Sequence, residues 1–300
     1  MSARYEIRLI APSGYPHIPE AMRRGIERLE AAGHRIAGRE VLDRLDLRFA
    51  GTDAERAADL NGLADPSRPL PDVVLAIRGG YGAHPLLPLL NYDALGERLR
   101  DAPVAMIGHS DFTALQSALY ARAGIVTYGG PMLGADFGAL ELDPLTWEHV
   151  WRTLADEEGL GEWEAPHTPD IAVDGTLWGG NLAMLAGLVG SPYFPAIDGG
   201  LLFVEDIAEP PYRVERMLYH LLHAGVLGAQ KALLVGDFTS YRVAEYDNGY
   251  DLDTVFERIA AAAGIPVIRG LPFGHGPAKL TLPFGVAGHL QVADDRATLR

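Results

Sequence analysis

The first half of the chain alternates short apolar runs with amphipathic stretches, a pattern that predicts strands and helices in turn. From Pro19 to Ala32 the apolar residues recur at helical spacing, and Gly33 ends the helix. Another helix is predicted between Asp111 and Gly124. The apolar runs of strand length are Ile7–Ala11, Val73–Ile77, Val104–Ile107 and Ile125–Tyr128. Strands that alternate with helices predict an α/β fold, with a mostly parallel sheet flanked by helices.

The regular pattern weakens between Gly138 and Asp174. A helical piece around Asp143–Leu154 precedes an acidic run, Asp156 to Pro169, that contains glycine and proline. We interpret this part as a connection. The predicted organisation is an N-terminal α/β domain at 1–140, a connecting segment at 141–174 and a C-terminal domain at 175–300.

The C-terminal domain is predicted to contain helices and short strands. The motif Gly179-Gly180-Asn181 opens a short helix, and apolar residues at helical spacing from Val214 to Leu222 predict a longer one. The predicted strands are Leu201–Val204, Ala232–Val235, Lys279–Pro283 and His289–Val292.

Composition narrows the classes of protein that the chain can represent. A hydrophobic fraction of 48% and a charged fraction of 22% in 300 residues are typical of a globular protein. The formal net charge of −15 argues against nucleic acid or an anionic membrane as partner. No apolar stretch is long enough to span a bilayer. The N-terminus lacks the apolar region of a secretory signal, so we expect a cytoplasmic protein.

The residue types limit the chemistry as well. The chain has no cysteine, which excludes disulfides, a thiolate nucleophile and cysteine-based zinc sites. Its ten histidines form neither a His-Glu-x-x-His motif nor a tight cluster, so no metal and no cofactor are expected. Covalent catalysis would need a hydroxyl, a carboxylate or an amine.

Ser110 stands at a predicted strand–turn–helix junction, Ile107-Gly108-His109-Ser110-Asp111. Such a turn exposes the serine hydroxyl, and the helix N-terminus behind it supplies free N–H groups for an oxyanion. The alternative is that serine or aspartate only caps the helix. The nucleophile elbow of α/β-hydrolases is not matched, because Phe112 stands where that motif has glycine.

A second strand end carries Arg78-Gly79-Gly80-Tyr81-Gly82. Glycines let a backbone approach a ligand closely, so a glycine N–H here is a candidate second oxyanion donor. A phosphate cradle is disfavoured, because no Gly-Lys-Ser/Thr follows. A simple tight turn remains an alternative.

Two further residues suit proton transfer. Glu205 ends the apolar run Leu201–Val204, a position from which a buried carboxylate can orient a histidine. His275 lies between glycines in a loop, and histidine is the side chain best suited to proton transfer near neutral pH. A solvated Glu205 and an inert His275 are the alternatives.

These motifs occur in the same order as those of one known family, and the similarity covers almost the whole chain. The motifs that carry the resemblance are Arg78-Gly-Gly-Tyr-Gly, Gly108-His-Ser-Asp, Tyr128-Gly-Gly-Pro-Met, Gly179-Gly-Asn-Leu, Phe203-Val-Glu-Asp, Glu209-Pro-Pro-Tyr-Arg, Gly274-His and Leu282-Pro-Phe-Gly. The chain resembles the LD-carboxypeptidases, or muramoyltetrapeptide carboxypeptidases, which share a fold with the microcin C self-immunity peptidases.

The resemblance implies an N-terminal domain with a parallel sheet and a smaller, β-rich C-terminal α/β domain. It also implies a Ser-His-Glu triad split between these two domains. Ser110 would be the nucleophile, His275 the general base and then acid, and Glu205 the group that orients His275. The backbone N–H groups of Gly80 and Asp111 would form the oxyanion hole.

The resemblance also implies how the substrate is held. Arg78 or Arg213 would bind its terminal carboxylate, although either arginine could instead form a structural salt bridge. His109 departs from the tyrosine usual before the serine, and we expect it to alter the pocket lining.

The implied reaction removes a terminal D-alanine from the L-centre of a diamino acid. The partner is a muropeptide tetrapeptide, the process is peptidoglycan recycling, and a homodimer is expected. A sibling activity on aminoacyl-nucleotide conjugates, with Trp178 or Tyr241 stacking on adenine, is the first alternative. A non-catalytic small-molecule-binding protein is the second.

Overall fold

The computed structural model describes residues 3–155 and 159–300. Internal contacts divide the chain into two compact units. The first unit is Met1–Glu157 with Pro277–Phe284, and the second unit is Glu158–Gly276 with Gly285–Arg300. Among the described residues, no helix has both the length and the apolar character needed to cross a membrane. Residues 156–158, part of the predicted connection, lie outside the described residues.

The described parts of the chain contain strands and α-helices with the following bounds. The strands are β1 Glu6–Ile10, β2 Arg35–Ala37, β3 Val73–Ala76, β4 Ala105–Gly108, β5 Thr127–Gly129, β6 Gly161–Glu164, β7 Ile171–Asn181, β8 Leu201–Ile207, β9 Ala232–Thr239, β10 Val267–Ile268, β11 Leu282–Phe284, β12 Val286–Ala293 and β13 Arg296–Leu299. The helices are α1 Pro19–Ala31, α2 Asp53–Asn61, α3 Tyr92–Leu99, α4 Phe112–Ala123, α5 Pro144–Leu154, α6 Leu182–Leu188, α7 Pro211–His223 and α8 Leu252–Ala263.

The first unit contains a six-stranded sheet in the order β11-β5-β4-β3-β1-β2. Its strands run parallel except β11, which pairs antiparallel with β5. The central strands β3 and β4 are buried along their whole length, as expected for a parallel sheet that is covered on both faces. Because β3 and β4 are parallel neighbours, the glycine turn after β3 and the serine turn after β4 emerge at the same edge of the sheet.

The second unit contains a seven-stranded mixed sheet in the order β10-β9-β8-β7-β12-β13-β6. Strands β7 to β10 are parallel, and the remaining pairs are antiparallel. The carboxyl ends of β7, β8 and β9 therefore lie side by side. Those ends carry Asn181, Glu205 with Asp206, and Asp237.

The predicted fold class is confirmed, and each strongly periodic segment forms the predicted type of element. Strand β7, which has 11 residues and begins inside the predicted connecting segment, was not predicted. Its first half alternates exposed and partly buried residues, so it offers no apolar run. Pro277–Phe284 also groups with the first unit, whereas the predicted bounds 175–300 include it in the C-terminal domain. The reason is that β11 pairs with β5 and Lys279 forms an ion pair with Asp136.

Candidate active site

Ser110 occupies a strained position between β4 and α4. Its φ is 61°, in the left-handed region that non-glycine residues rarely adopt. The carbonyl oxygen of Ser110 accepts a hydrogen bond from the Thr113 N–H at 2.9 Å, which closes the first turn toward the helix. The side chain is partly exposed. Strain of this kind persists only where surrounding contacts enforce it, and it is concentrated at functional sites.

Asp111 shows that helix capping does not explain the serine turn. No side chain caps α4. The Asp111 carboxylate instead accepts hydrogen bonds from Ser13 Oγ at 2.6 Å and from the Ala83 N–H at 2.8 Å. It is 1% exposed, and burial raises its pKa. The capping alternative is therefore wrong, because this carboxylate ties the loops after β1 and β3 to the serine turn.

The glycine turn after β3 lies directly against Ser110. A Cβ atom added at Gly79 would lie 2.9 Å from Ser110 Oγ, so no other residue fits there without displacement. Gly80 adopts a φ of 106°. Within residues 3–155 and 159–300, no group accepts a hydrogen bond from the N–H of Gly80 or of Asp111. Two unused donors beside a serine suit stabilisation of an oxyanion.

Arg78 is a cation at the same sheet edge. Its Nη1 donates to the Tyr15 carbonyl at 2.9 Å and contacts His17 Nδ1 at 2.6 Å. Burial and then the charge of Arg78 lower the pKa of His17, so a neutral imidazole accepts this hydrogen bond. In the described parts of the chain, Arg78 has no carboxylate within ion-pair distance. Its charge suits an anionic ligand.

Arg213, the other candidate for the substrate carboxylate, is already compensated. Its Nε forms an ion pair at 2.6 Å with Glu209, one turn earlier along the chain. Its side chain is 47% exposed, so solvent also hydrates the charge. This ion pair favours a structural role for Arg213, the alternative to binding the substrate carboxylate.

In the second unit, the structure brings Glu205 and His275 together. Glu205 Oε2 and His275 Nδ1 are 2.6 Å apart, and Glu205 is 0% exposed. Gly274 permits this approach, because its φ is 140° and an added Cβ would lie 3.0 Å from Glu205 Cβ. The solvated alternative for Glu205 is therefore wrong. The pair has the arrangement in which a buried carboxylate fixes the tautomer and orientation of an imidazole.

Two further residues, Asn181 and Asp206, complete this cluster. Neither was predicted to have a role. Asn181 Nδ2 donates to Glu205 Oε1 at 3.2 Å and to Asp206 Oδ1 at 3.0 Å. Burial, followed by the charge of Glu205, raises the pKa of Asp206 to about 6. Both residues stand in the quoted motifs Gly-Gly-Asn and Val-Glu-Asp. The available signal was that Asp206 follows a predicted strand and that Asn181 opens a predicted helix.

Two other expectations are corrected. His109 is 2% exposed, and its Nδ1 lies 3.0 Å from the Gly130 carbonyl oxygen, so it packs inside the first unit and does not line an open pocket. Trp178 is 0% exposed and donates to Gln230 Oε1, so it cannot stack on a nucleotide base. Both side chains are held by core contacts that the sequence does not reveal.

Comparison with known proteins assigns this chain first to a class of protein and then to a family. The model of the LD-carboxypeptidase N-terminal domain matches residues 7–130, and that of the LD-carboxypeptidase C-terminal domain matches residues 174–290. With the observed fold, these matches define a peptidase built from two α/β units. The chain belongs to the LD-carboxypeptidase family.

Individual relatives agree with this assignment. The murein tetrapeptide carboxypeptidase of Pseudomonas aeruginosa is 34% identical over 81% of this chain and 79% of its own. The crystal structure of muramoyltetrapeptide carboxypeptidase from Oxalobacter formigenes is 39% identical, with a TM-score of 0.87 over 98% of this chain and 97% of the other. A structure of MccF in complex with glutamyl sulfamoyl guanosine is 26% identical, with a TM-score of 0.86 over 98% of this chain and 95% of the other.

Proposed function

We propose that this protein is a serine-type LD-carboxypeptidase that removes the terminal D-alanine from muropeptide tetrapeptides. The proposed triad is Ser110, His275 and Glu205. The observation that carries the proposal is the buried Glu205–His275 pair at 2.6 Å, in a family member whose strained serine turn lies beside two unused N–H donors. The relatives named for murein or muramoyl tetrapeptides supply the substrate class.

In the proposed reaction, Glu205 holds His275 through Nδ1, so Nε2 is the nitrogen that exchanges protons. His275 removes the hydroxyl proton of Ser110 as Oγ attacks the carbonyl carbon of the L-centre. The resulting oxyanion accepts hydrogen bonds from the N–H groups of Gly80 and Asp111. Collapse breaks the C–N bond, and His275 protonates the leaving D-alanine amine. Water then hydrolyses the acyl ester on Ser110 by the same proton transfers in reverse.

Arg78 supports an exopeptidase. A guanidinium with no carboxylate partner among the described residues, next to a proposed oxyanion donor, suits the free carboxylate of a C-terminal residue. Arg78→Met should raise KM for the tetrapeptide by about tenfold or more, the value of one lost charge-assisted hydrogen bond. Arg213→Met is the matched control and should change KM less. Equal increases in KM for Arg78→Met and Arg213→Met would contradict the proposal that Arg78 binds the substrate carboxylate.

The activity test is incubation with a tetrapeptide that ends in D-alanine, followed by mass spectrometry for the loss of one alanine. Ser110→Ala should abolish turnover and leave the thermal unfolding curve intact, because it removes the nucleophile. Ser67→Ala, at an exposed serine of the first unit, should retain full activity. Intact tetrapeptide after prolonged incubation with the folded wild type would refute the proposed substrate. Unchanged function in Ser110→Ala would favour the non-catalytic binding protein.

The similarity to MccF supports a second candidate substrate, because the solved complex of MccF contains glutamyl sulfamoyl guanosine. A glutamyl sulfamoyl nucleoside should be tested beside the tetrapeptide at equal concentration. The buried Trp178 offers no stacking surface, so the partly exposed Tyr241 is the stacking candidate that remains for this substrate. Preferential cleavage of the nucleoside conjugate would reverse the order of the two substrates.

Three further parts of the proposal rest on the resemblance alone. They are a homodimer, a cytoplasmic location and a role in peptidoglycan recycling. Analytical ultracentrifugation tests the first, cell fractionation the second, and muropeptide profiles of a deletion strain the third. A monomer, an exported protein or an unchanged profile would each refute the corresponding part.

A further inference from the structure

The amide of Asn181 joins two neighbouring carboxylates in the second unit. Asn181 stands directly opposite Glu205 in the register of β7 and β8. Its Oδ1 accepts a hydrogen bond from the Met184 N–H at 3.2 Å. The oxygen is therefore committed to the start of α6, and both hydrogens of Nδ2 face Glu205 and Asp206. A side-chain amide has two such hydrogens, so this group is fully used.

Asp206 is a buried carboxylate whose partners are dipoles rather than charges. It is 4% exposed, and it accepts hydrogen bonds from the Ala183 N–H and the Ile207 N–H, each at 2.9 Å. No cation within the described ranges lies within ion-pair distance of it. A buried charge without a countercharge is costly, so a carboxylate at this position calls for an explanation.

We propose that Asp206 and Asn181 are positioning residues for the Glu205–His275 pair, and that the negative charge of Asp206 strengthens proton binding by His275. Asn181 holds Glu205 Oε1 so that Oε2 faces the imidazole. Asp206 in turn holds Asn181. This inference rests on the proposed function, because it assigns a second layer to the same triad.

In the described part of the second unit, three titratable groups adjoin Asp206. Glu205 precedes it on β8, His275 lies on the adjoining turn, and Asp237 lies next to Phe238, the residue of β9 that pairs with Asp206. An added Cβ at Gly276 would lie 2.3 Å from Asp237 Oδ2, which places that carboxylate against the same turn. Helix α6, which also packs here, contains no titratable residue. Ionised carboxylates at these positions would favour the imidazolium of His275.

The competing role for Asp206 is structural, as an acceptor for the Ala183 N–H in the first turn of α6. Stability alone cannot separate the two roles, but the protonation of His275 can. Removing the charge of Asp206, which is present above a pH of about 6, should lower the pKa of His275 by about half to one unit. A residue that only caps a helix would leave this pKa unchanged.

The test is histidine-labelled NMR titration of His275 in the wild type and in Asp206→Asn, with the resonance assigned by His275→Gln. We expect the pKa of His275 to fall by about half to one unit, a three- to tenfold weaker proton affinity. Asp198→Asn, at an exposed acid of the same unit, should leave it unchanged. If Asp206→Asn does not fold, Asp206→Ser removes the charge and keeps an acceptor for the Ala183 N–H. An unmoved titration in the folded variant overturns the inference.

Kinetics gives a second readout. The acid limb of the kcat/KM profile should move to lower pH in Asp206→Asn by the same interval, and Asn181→Ala should lower kcat about ten- to a hundredfold by freeing Glu205. Profiles that superimpose on the wild type would contradict the proposal. The NMR titration needs no substrate, so failure to cleave tetrapeptide would refute the proposed function without deciding this inference.

Discussion

Replacing Glu205 by glutamine tests the triad with the smallest change in shape. Glu205 is 0% exposed and faces two donors, His275 Nδ1 at 2.6 Å and Asn181 Nδ2 at 3.2 Å. A glutamine has one acceptor and one donor end. If its oxygen faces His275, its NH₂ meets the Asn181 amide; if it is flipped, its NH₂ meets the imidazole. In the first orientation two donors face each other. In the second, Nδ1 can accept only in the tautomer that is protonated at Nε2, and Nε2 then cannot take the Ser110 proton.

The expected loss follows from these contacts. Removing a charge-assisted hydrogen bond costs about 1.5–3 kcal/mol, and a buried donor without an acceptor costs about 1–3 kcal/mol. Part of the second cost also falls on the folded ground state, so about 2–5 kcal/mol bears on the transition state. At about 1.4 kcal/mol per factor of ten, Glu205→Gln should lower kcat/KM by about 30- to 4000-fold.

The assay is the rate of alanine release from tetrapeptide, together with labelling of Ser110 by a fluorophosphonate, which reports nucleophile activation without the substrate. Both rates should fall. Glu257→Gln, at an exposed glutamate of α8, controls for loss of a carboxylate in the same unit and should change neither rate. A folded Glu205→Gln variant with a rate within threefold of the wild type would show that this carboxylate does not support His275.

Two other sites give separate predictions. Gly79→Ala should lower kcat/KM by at least tenfold, because its Cβ would lie 2.9 Å from Ser110 Oγ. The control is Gly62→Ala, at a glycine with helical φ whose nearest neighbour is 3.7 Å away; this variant should be active and slightly more stable than the wild type. Equal activities of the two variants would contradict the close approach of Gly79 to Ser110. Lys279→Met should destabilise the fold by about 3–5 kcal/mol at pH 7 in urea denaturation, because it leaves Asp136 buried without its ion-pair partner at 2.9 Å. Burial opposes ionisation of Asp136, but Lys279 and then His109 outweigh it and lower its pKa, so its contribution to wild-type stability is complete above about pH 4 and is lost as the pH falls through the lower folded value. The stability difference between Lys279→Met and the wild type should therefore narrow as the pH is lowered, since the unpaired carboxyl becomes protonated first; a difference independent of pH would contradict this assignment.

The sequence alone determined the local chemistry of the chain. Apolar runs followed by glycine turns gave the strand ends after β3 and β4, and the position of Ser110 between a strand and a helix followed from the same pattern. Glu205 and His275 could be picked as candidates because a carboxylate after an apolar strand and a histidine between glycines are both local features. The order of these motifs then indicated the family.

Only the tertiary structure decided which side chains meet. Asn181 faces Glu205 because β7 and β8 pair in one particular register, and β7 itself has no apolar run at its start. The Asp111 carboxylate joins loops that are far apart in the chain rather than capping its own helix. Pairing of this kind depends on strand order and on long-range packing, and no local pattern encodes either of them.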